Sequence, residues 1–360
     1  MRVRLEDVCE KGSSKLKQSD VIDQNGLYPV YGASGYLGNV NTYQQSNYYV
    51  AVVKDGAGIG RTMLLPPKSS IIGTMQYLIP KDNVLPEYLY YVVKAKHLEK
   101  YFSGATIPHI YFKDYKNEQF DLVSFEEQRE IINRIKKIEI IIDDLSKTLA
   151  LLDELVRARF VEMFGNPRIN PMNFNKSELK DTCDIITGNT PSRKNEEYYG
   201  NYIEWIKTDN IVVNKLNPTY AKESLSKEGM DVGRTVDKNC ILMACIAGSI
   251  SSIGRVCVTD RKVAFNQQIN AIVPKKYNCM FLYVLMQVSK DYLVDGINMA
   301  LKGILSKSRL EEKQFIVPPL ELQNQFASFV QEIDKSRSRI EKSLEASQEL
   351  FDSLMQEYFG

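Results

Sequence analysis

The strongest constraint on this chain is that its sequence states one pattern twice. Residues 120–165 and 315–360 align without a gap at an offset of 195, with 11 identities in 46 positions. Glu126/Glu321, Gln128/Gln323, Glu154/Glu349, Leu155/Leu350 and Phe164-Gly165/Phe359-Gly360 are among them. The register continues upstream. Ile59-Gly60-Arg61 matches Ile253-Gly254-Arg255 at offset 194, LIP at Leu78 matches IVP at Ile272 at 194, and LEDVCE at Leu5 matches LKDTCD at Leu179 at 174. An ordered series in near-constant register means a duplicated architecture rather than chance. The second copy carries about 20 extra residues before Arg255, which the sequence places around residues 193–212.

Each copy has two parts. The front is strand-like, with short apolar runs (YYVAVV, MQYLIP, CILMACIAG, RVCVT, NAIVP) bounded by Gly, Pro, Asn or Asp. The back is a long helix. Ile131, Ile138, Leu145 and Leu152 form one row at heptad spacing, and Ile135, Ile142, Leu149 and Val156 form a second. In the second copy the rows contain Ile333, Ile340 and Leu344, interrupted by Arg337 and Ser347. A helix of about 40 residues is roughly 60 Å long, more than one small domain can cover, so each helix needs a further partner, and the other helix is the natural one. The expected fold is α+β: a β-rich domain over residues 1–124, a helix over 125–165, an Asn- and Pro-rich linker over 166–175, a second β-rich domain over 176–319, and a second helix over 320–360.

Charge follows the same division. The chain nets +1, yet residues 1–124 and 171–319 net +2 and +4, while residues 125–170 and 320–360 net −1 and −4. Basic domains beside acidic helices suit a protein that meets phosphate with the former and proteins with the latter. The six Cys include no C-x-x-C pair and read as reduced thiols of a cytoplasmic chain. No apolar run approaches a membrane span, and the N-terminus has no secretory signal pattern.

Familiar catalytic patterns are missing. There is no G-x-x-x-x-G-K-[ST] loop, no dinucleotide fingerprint around Gly56-Ala57-Gly58, and no Pro-Pro-Tyr/Phe, since the double prolines precede Lys68 and Leu320. Only His97 and His109 are present, and Asp55 beside Lys54 is the nearest hint of a carboxylate site. No self-sufficient catalytic or metal site is read.

Taken together, ITGNTPSRKNEEYYG, CILMACIAGSISSIGRV, AFNQQINAIVP and FIVPPLELQNQ in the second copy resemble the specificity subunit of Type I restriction–modification enzymes. So do VVKDGAGIGRTML and the stretch before the helix in the first copy. The resemblance covers essentially the whole chain. The first copy departs from it, with Val123-Ser124-Phe125 in place of Pro318-Pro319-Leu320 and no T-G-x-T-P-S start. The resemblance implies two target-recognition domains separated by two long antiparallel coiled-coil helices in a pseudo-two-fold repeat. Each domain would read one half of a bipartite double-stranded DNA target. The helices would dock methyltransferase (modification) subunits, which restriction (motor-nuclease) subunits join. The chain itself would be non-catalytic and bind no cofactor, with S-adenosylmethionine, ATP and magnesium serving the partner subunits.

Base edges are read by Arg, Lys, Asn and Gln, and phosphates are held by Lys, Ser, Thr and Tyr. The candidates are Lys54, Arg61, His109, Tyr111 and Lys113 in the first domain. In the second they are Thr208, Asn210, Arg255, Gln267, Gln268, Lys302 and Lys307. Arg61 and Arg255 occupy equivalent repeat positions, so holding a turn and touching DNA are equal alternatives for them. Tyr43, Tyr48 and Tyr49 read as core or surface aromatics. Two rival functions stay open at this point: a protein-interaction scaffold with two β-rich modules, and an enzyme with an unrecognised carboxylate site.

Overall fold

The computed structural model describes residues 1–22, 26–103, 108–297 and 303–360. It is an α+β chain with two compact units, Met1–Leu145 with Ser343–Gly360, and Ser146–Lys342. Each unit thus combines one β-rich domain with helix segments from both sequence copies.

In the first unit a four-stranded antiparallel sheet runs in the order Cys9–Ser13, Met75–Pro80, Tyr49–Val53, Thr62–Leu65. All five residues of the strand Tyr49–Val53 are buried, because both faces of the sheet are covered. Val50 and Val52 face a core shared with the helix Pro86–Ala95, while Tyr49, Ala51 and Val53 face a second core, the period-2 alternation of a strand. A smaller sheet holds the hairpin Tyr28–Gly32/Gly35–Val40, with Ser70–Ile71 parallel to its first strand.

The second unit repeats this plan. Its main sheet is Cys183–Thr187, Ile269–Pro274, Ile241–Ala244, Val256–Val258, and Ile241 and Met243 face one core while Leu242 and Ala244 face another. Ile206 pairs parallel with Phe265 as Tyr31 does with Ile71, so Tyr199–Ile206 is the counterpart of Tyr28–Gly32. The extra residues of this copy therefore follow Ile206 rather than lying across 193–212. The first unit turns its hairpin over Ala33-Ser34, whereas the second runs through 207–223 before the strand Ser224–Leu225. The two strands share a pairing but no sequence identity that could anchor an alignment.

Both long helices, Phe125–Phe164 and Leu320–Phe359, have 40 residues. They begin differently. Ser124 makes a capping box, its Oγ accepting the Glu127 N–H at 3.3 Å while Glu127 Oε2 accepts the Ser124 N–H at 3.0 Å. The other helix is entered through Pro318-Pro319, with Leu322 N–H donating to Pro319 O at 3.0 Å. Gln128 and Gln323, identical in the repeat, do the same work. Gln128 Oε1 accepts the Leu85 N–H at 2.9 Å and its Nε2 donates to Val123 O at 3.0 Å. Gln323 Oε1 accepts the Asn278 N–H and its Nε2 donates to Pro318 O, both at 2.8 Å.

Ile132, Ile135 and Ile138 are buried with Phe351, Met355 and Phe359 in the first unit, and Phe160 and Phe164 with Phe326 and Val330 in the second. Of the seam positions, Ile131, Ile142, Leu145, Leu149, Leu152, Ile333, Ile340 and Leu344 are half-buried, and none is exposed. Within the second unit, Arg337 pairs with Asp153 at 2.5 Å and Phe326 packs on Phe160 and Phe164, so the helices run antiparallel there. Lys96 Nζ donates to Phe359 O at 2.5 Å, placing a cation at the negative end of the second helix. Among the described residues no helix is long and apolar enough to cross a membrane.

Candidate nucleic-acid interface

One of the two inner strands of each main sheet ends in a glycine turn, and the turn is closed identically in both units. In the first, Gly60 N–H donates to Val53 O and Val53 N–H to Arg61 O, each at 2.9 Å. In the second, Gly254 N–H donates to Ala244 O at 2.8 Å and Ala244 N–H to Arg255 O at 2.9 Å. Gly60 and Gly254 have φ of +82° and +76°, where L side chains are strained, and a Cβ on Gly60 would lie 2.6 Å from the Glu99 backbone nitrogen. Two neighbouring segments are stitched to each turn. Thr74 O accepts the N–H groups of Lys54 and Asp55 at 3.0 and 3.2 Å, and Gln268 O accepts those of Cys245 and Ile246 at 2.8 and 3.2 Å. Ile110 N–H donates to Lys54 O at 2.9 Å, and Leu305 N–H to Cys245 O at 2.8 Å. Backbone bonds alone thus build one rim of three loops in each unit. The side chains on it are free to differ.

On the first rim Lys54, His109, Tyr111 and Lys113 come together. His109 Nδ1 and Asp55 Oδ1 share a hydrogen bond of 2.7 Å, and Lys54 Nζ lies 3.9 Å from the other Asp55 oxygen. The Tyr111 ring stacks on His109 at 6.2 Å, with Lys113 Nζ 5.3 Å from its centroid. Tyr111 is 49% exposed, so it has an open face. Arg61 turns away from this group, and its Nη1 donates to Ala33 O of the hairpin turn at 2.8 Å. Tyr49 is core, whereas Tyr43 and Tyr48 are exposed.

On the second rim Gln267 is exposed and accepts a hydrogen bond from Thr190 of the T-P-S stretch. Gln268 is half-buried and holds Asn266 Nδ2 at 3.1 Å. Lys307 opens the short helix Lys307–Glu311, 3.5 Å from Glu311. Thr208 and Asn210 lie together in a turn beyond Ile206. Asn210 is buried there. Its Oδ1 accepts the Lys207 N–H at 2.9 Å, and its Nδ2 donates to Thr219 Oγ1 and Tyr220 O at 3.2 Å, which commits the amide to the loop. Lys302 lies outside the described residues.

One cluster escaped the sequence reading. The Arg193 guanidinium lies 4.3 Å from the Tyr199 ring centroid and 5.3 Å from that of Trp205, and Lys207 Nζ lies 5.1 Å from Trp205. Glu223 pairs with both cations, and Lys207 followed by Arg193 holds its carboxyl below the usual range. Trp205 Nε1 donates to Asn189 O at 3.2 Å, joining this cluster to the T-G-x-T-P-S stretch. The only sequence signal was the Arg-Lys directly after that stretch, since Glu223 arrives from the far end of the inserted loop.

Comparison with known proteins converges on one family. The family described as Type I restriction modification DNA specificity domain matches residues 1–154 and again 171–349. The MjaVIII Type I restriction enzyme specificity subunit of Methanocaldococcus jannaschii is 24% identical over 82% of this chain and 76% of its own length. The HindI specificity subunit of Haemophilus influenzae is 31% identical over 42% of this chain and 33% of its own. Among solved structures, the Type I restriction-modification S subunit from M. genitalium covers 100% of this chain and 96% of its own, with a TM-score of 0.66 at 13% identity, a likeness of fold. With two matches that fall one on each copy of its repeat, the chain belongs to the Type I restriction–modification DNA specificity family, as a specificity subunit.

Proposed function

We propose that the two loop rims each read one half of a bipartite double-stranded DNA target, and that the long helices dock methyltransferase subunits, to which restriction subunits attach. The observation that carries this reading is the rim itself. The same backbone bonds build it twice, while its side chains are Lys54, His109, Tyr111 and Lys113 in one unit and Gln267, Gln268 and Lys307 in the other. A duplicated scaffold with diverged side chains is what two different half-sites require. The chain works in the cytoplasm and performs no chemistry alone. S-adenosylmethionine, ATP and magnesium belong to the partner subunits.

The test is an exchange of residues 1–120 for the first domain of another specificity subunit, followed by methylation profiling in cells. The expected outcome is a new sequence in one half-site with the other unchanged. Changes in both halves, or in neither, overturn the two-reader assignment.

A further inference from the structure

Arg61 and Arg255 close the same turn but are differently employed. Arg61 spends its guanidinium on Ala33 O. Among the described residues Arg255 has no such partner: its Nε is buried without a hydrogen bond, and no carboxylate pairs with it. A second cation stands against the same turn. Lys290, at the start of the helix Lys290–Val294, passes close to Gly254, and its Nζ donates to Ser251 O at 2.6 Å. Burial, then the Arg255 charge, lowers the Lys290 pKa, and Asp291 is the acid that opposes this. The turn brings three hydroxyls together, with Ser249 Oγ 2.9 Å from both Ser251 Oγ and Ser252 Oγ.

Two cations against one turn, with one guanidinium nitrogen buried without a partner, are a costly arrangement unless an anion joins them. Hydroxyl donors on the same turn as an Arg, with a Lys bonded to that turn's backbone, suit a tetrahedral oxyanion. Resting on the reading that this rim faces duplex DNA, we propose that Arg255 and Lys290, with the Ser249–Ser251–Ser252 hydroxyls, hold a backbone phosphate of the DNA at the second half-site. Among the described residues the first unit has no equivalent, because its hairpin takes the arginine. The site contributes affinity and register and carries no base information.

The experiment uses the full chain assembled with its methyltransferase subunits. Binding is measured on a target duplex and a scrambled duplex between 50 and 200 mM salt, with Trp205 fluorescence melting of the full chain alone as the folding control. Arg255→Gln and Lys290→Gln should each weaken binding to both duplexes and flatten the salt dependence. Losing one phosphate contact should close the gap to wild type by about 3-fold over that range. Arg255→Lys, which keeps the charge, should retain the wild-type salt slope, and the methylated sequence should be unchanged in all three variants. Wild-type binding by Arg255→Gln and Lys290→Gln at every salt concentration overturns the phosphate site. So does an altered target with an unaltered salt slope, which would make Arg255 a base reader. A wild-type complex that binds neither duplex overturns the DNA reading itself, and this inference with it.

Discussion

Gln323→Met isolates what the repeat preserves. The Gln323 side chain is fully buried at the entry to the second long helix, and its amide satisfies the Asn278 N–H and the Pro318 carbonyl, both at 2.8 Å. Methionine keeps the length and volume of the side chain but can make neither bond. Each orphaned buried backbone group costs about 1–3 kcal/mol, so the variant should lose about 2–4 kcal/mol after partial relaxation. Asn278 also caps the buried helix Cys279–Val288, so the damage falls on the core of the second unit. The chain has a single tryptophan, Trp205, buried in that unit, and its fluorescence reports on the second unit's unfolding. With a urea slope of about 2 kcal/mol per molar, the Trp205 midpoint should fall by about 1–2 M. A midpoint within about 0.3 M of wild type at unchanged slope would show that water replaces the amide at little cost, and the reasoning would fail. Gln128→Met should cost a similar amount in the first unit, read by far-ultraviolet circular dichroism.

Three further outcomes are expected. Ile138→Asp places an unpaired charge in the core beside Phe351 and Met355 and should cost several kcal/mol, whereas Ile141→Asp, at a position 48% exposed, should stay within about 0.5 kcal/mol; equal urea midpoints for the two would refute the assigned helix face. Arg337→Leu strands Asp153 beside Asp334, whose carboxyl is already raised by burial, and should cost about 1–3 kcal/mol. Adding Asp153→Leu should recover most of it, and a double-mutant cycle with no coupling would count against a specific ion pair. Burial pushes the thiols of Cys9, Cys183, Cys245 and Cys257 up to about 12, so the thiolate is scarce at pH 8; mass spectrometry should find these four unalkylated by iodoacetamide in the native chain and labelled in urea, and native labelling of any of them would contradict their placement.

The sequence by itself determined the duplication, the α+β class, the two long helices with their apolar seam, and the family. These are legible because periodicity is local: a heptad row such as Ile131, Ile138, Leu145, Leu152 is written along the chain, and a repeat is a comparison of the chain with itself. It also singled out the Ile-Gly-Arg turn, which lies on the rim of each unit. Tertiary structure decided what each side chain there is available to do. Nothing local separates Arg61 from Arg255. Their roles part because a short hairpin offers Ala33 O to one, while the other meets Lys290 from a helix 35 positions along the chain. Asn210 is a DNA-contact candidate in sequence, and in the fold its amide bonds Lys207, Thr219 and Tyr220. The Arg193–Trp205–Lys207–Glu223 cluster showed in sequence only as the Arg193-Lys194 pair, because Glu223 reaches it across an inserted loop. Hydrogen-bond capacity is finite, and only the folded chain shows which groups have already spent it.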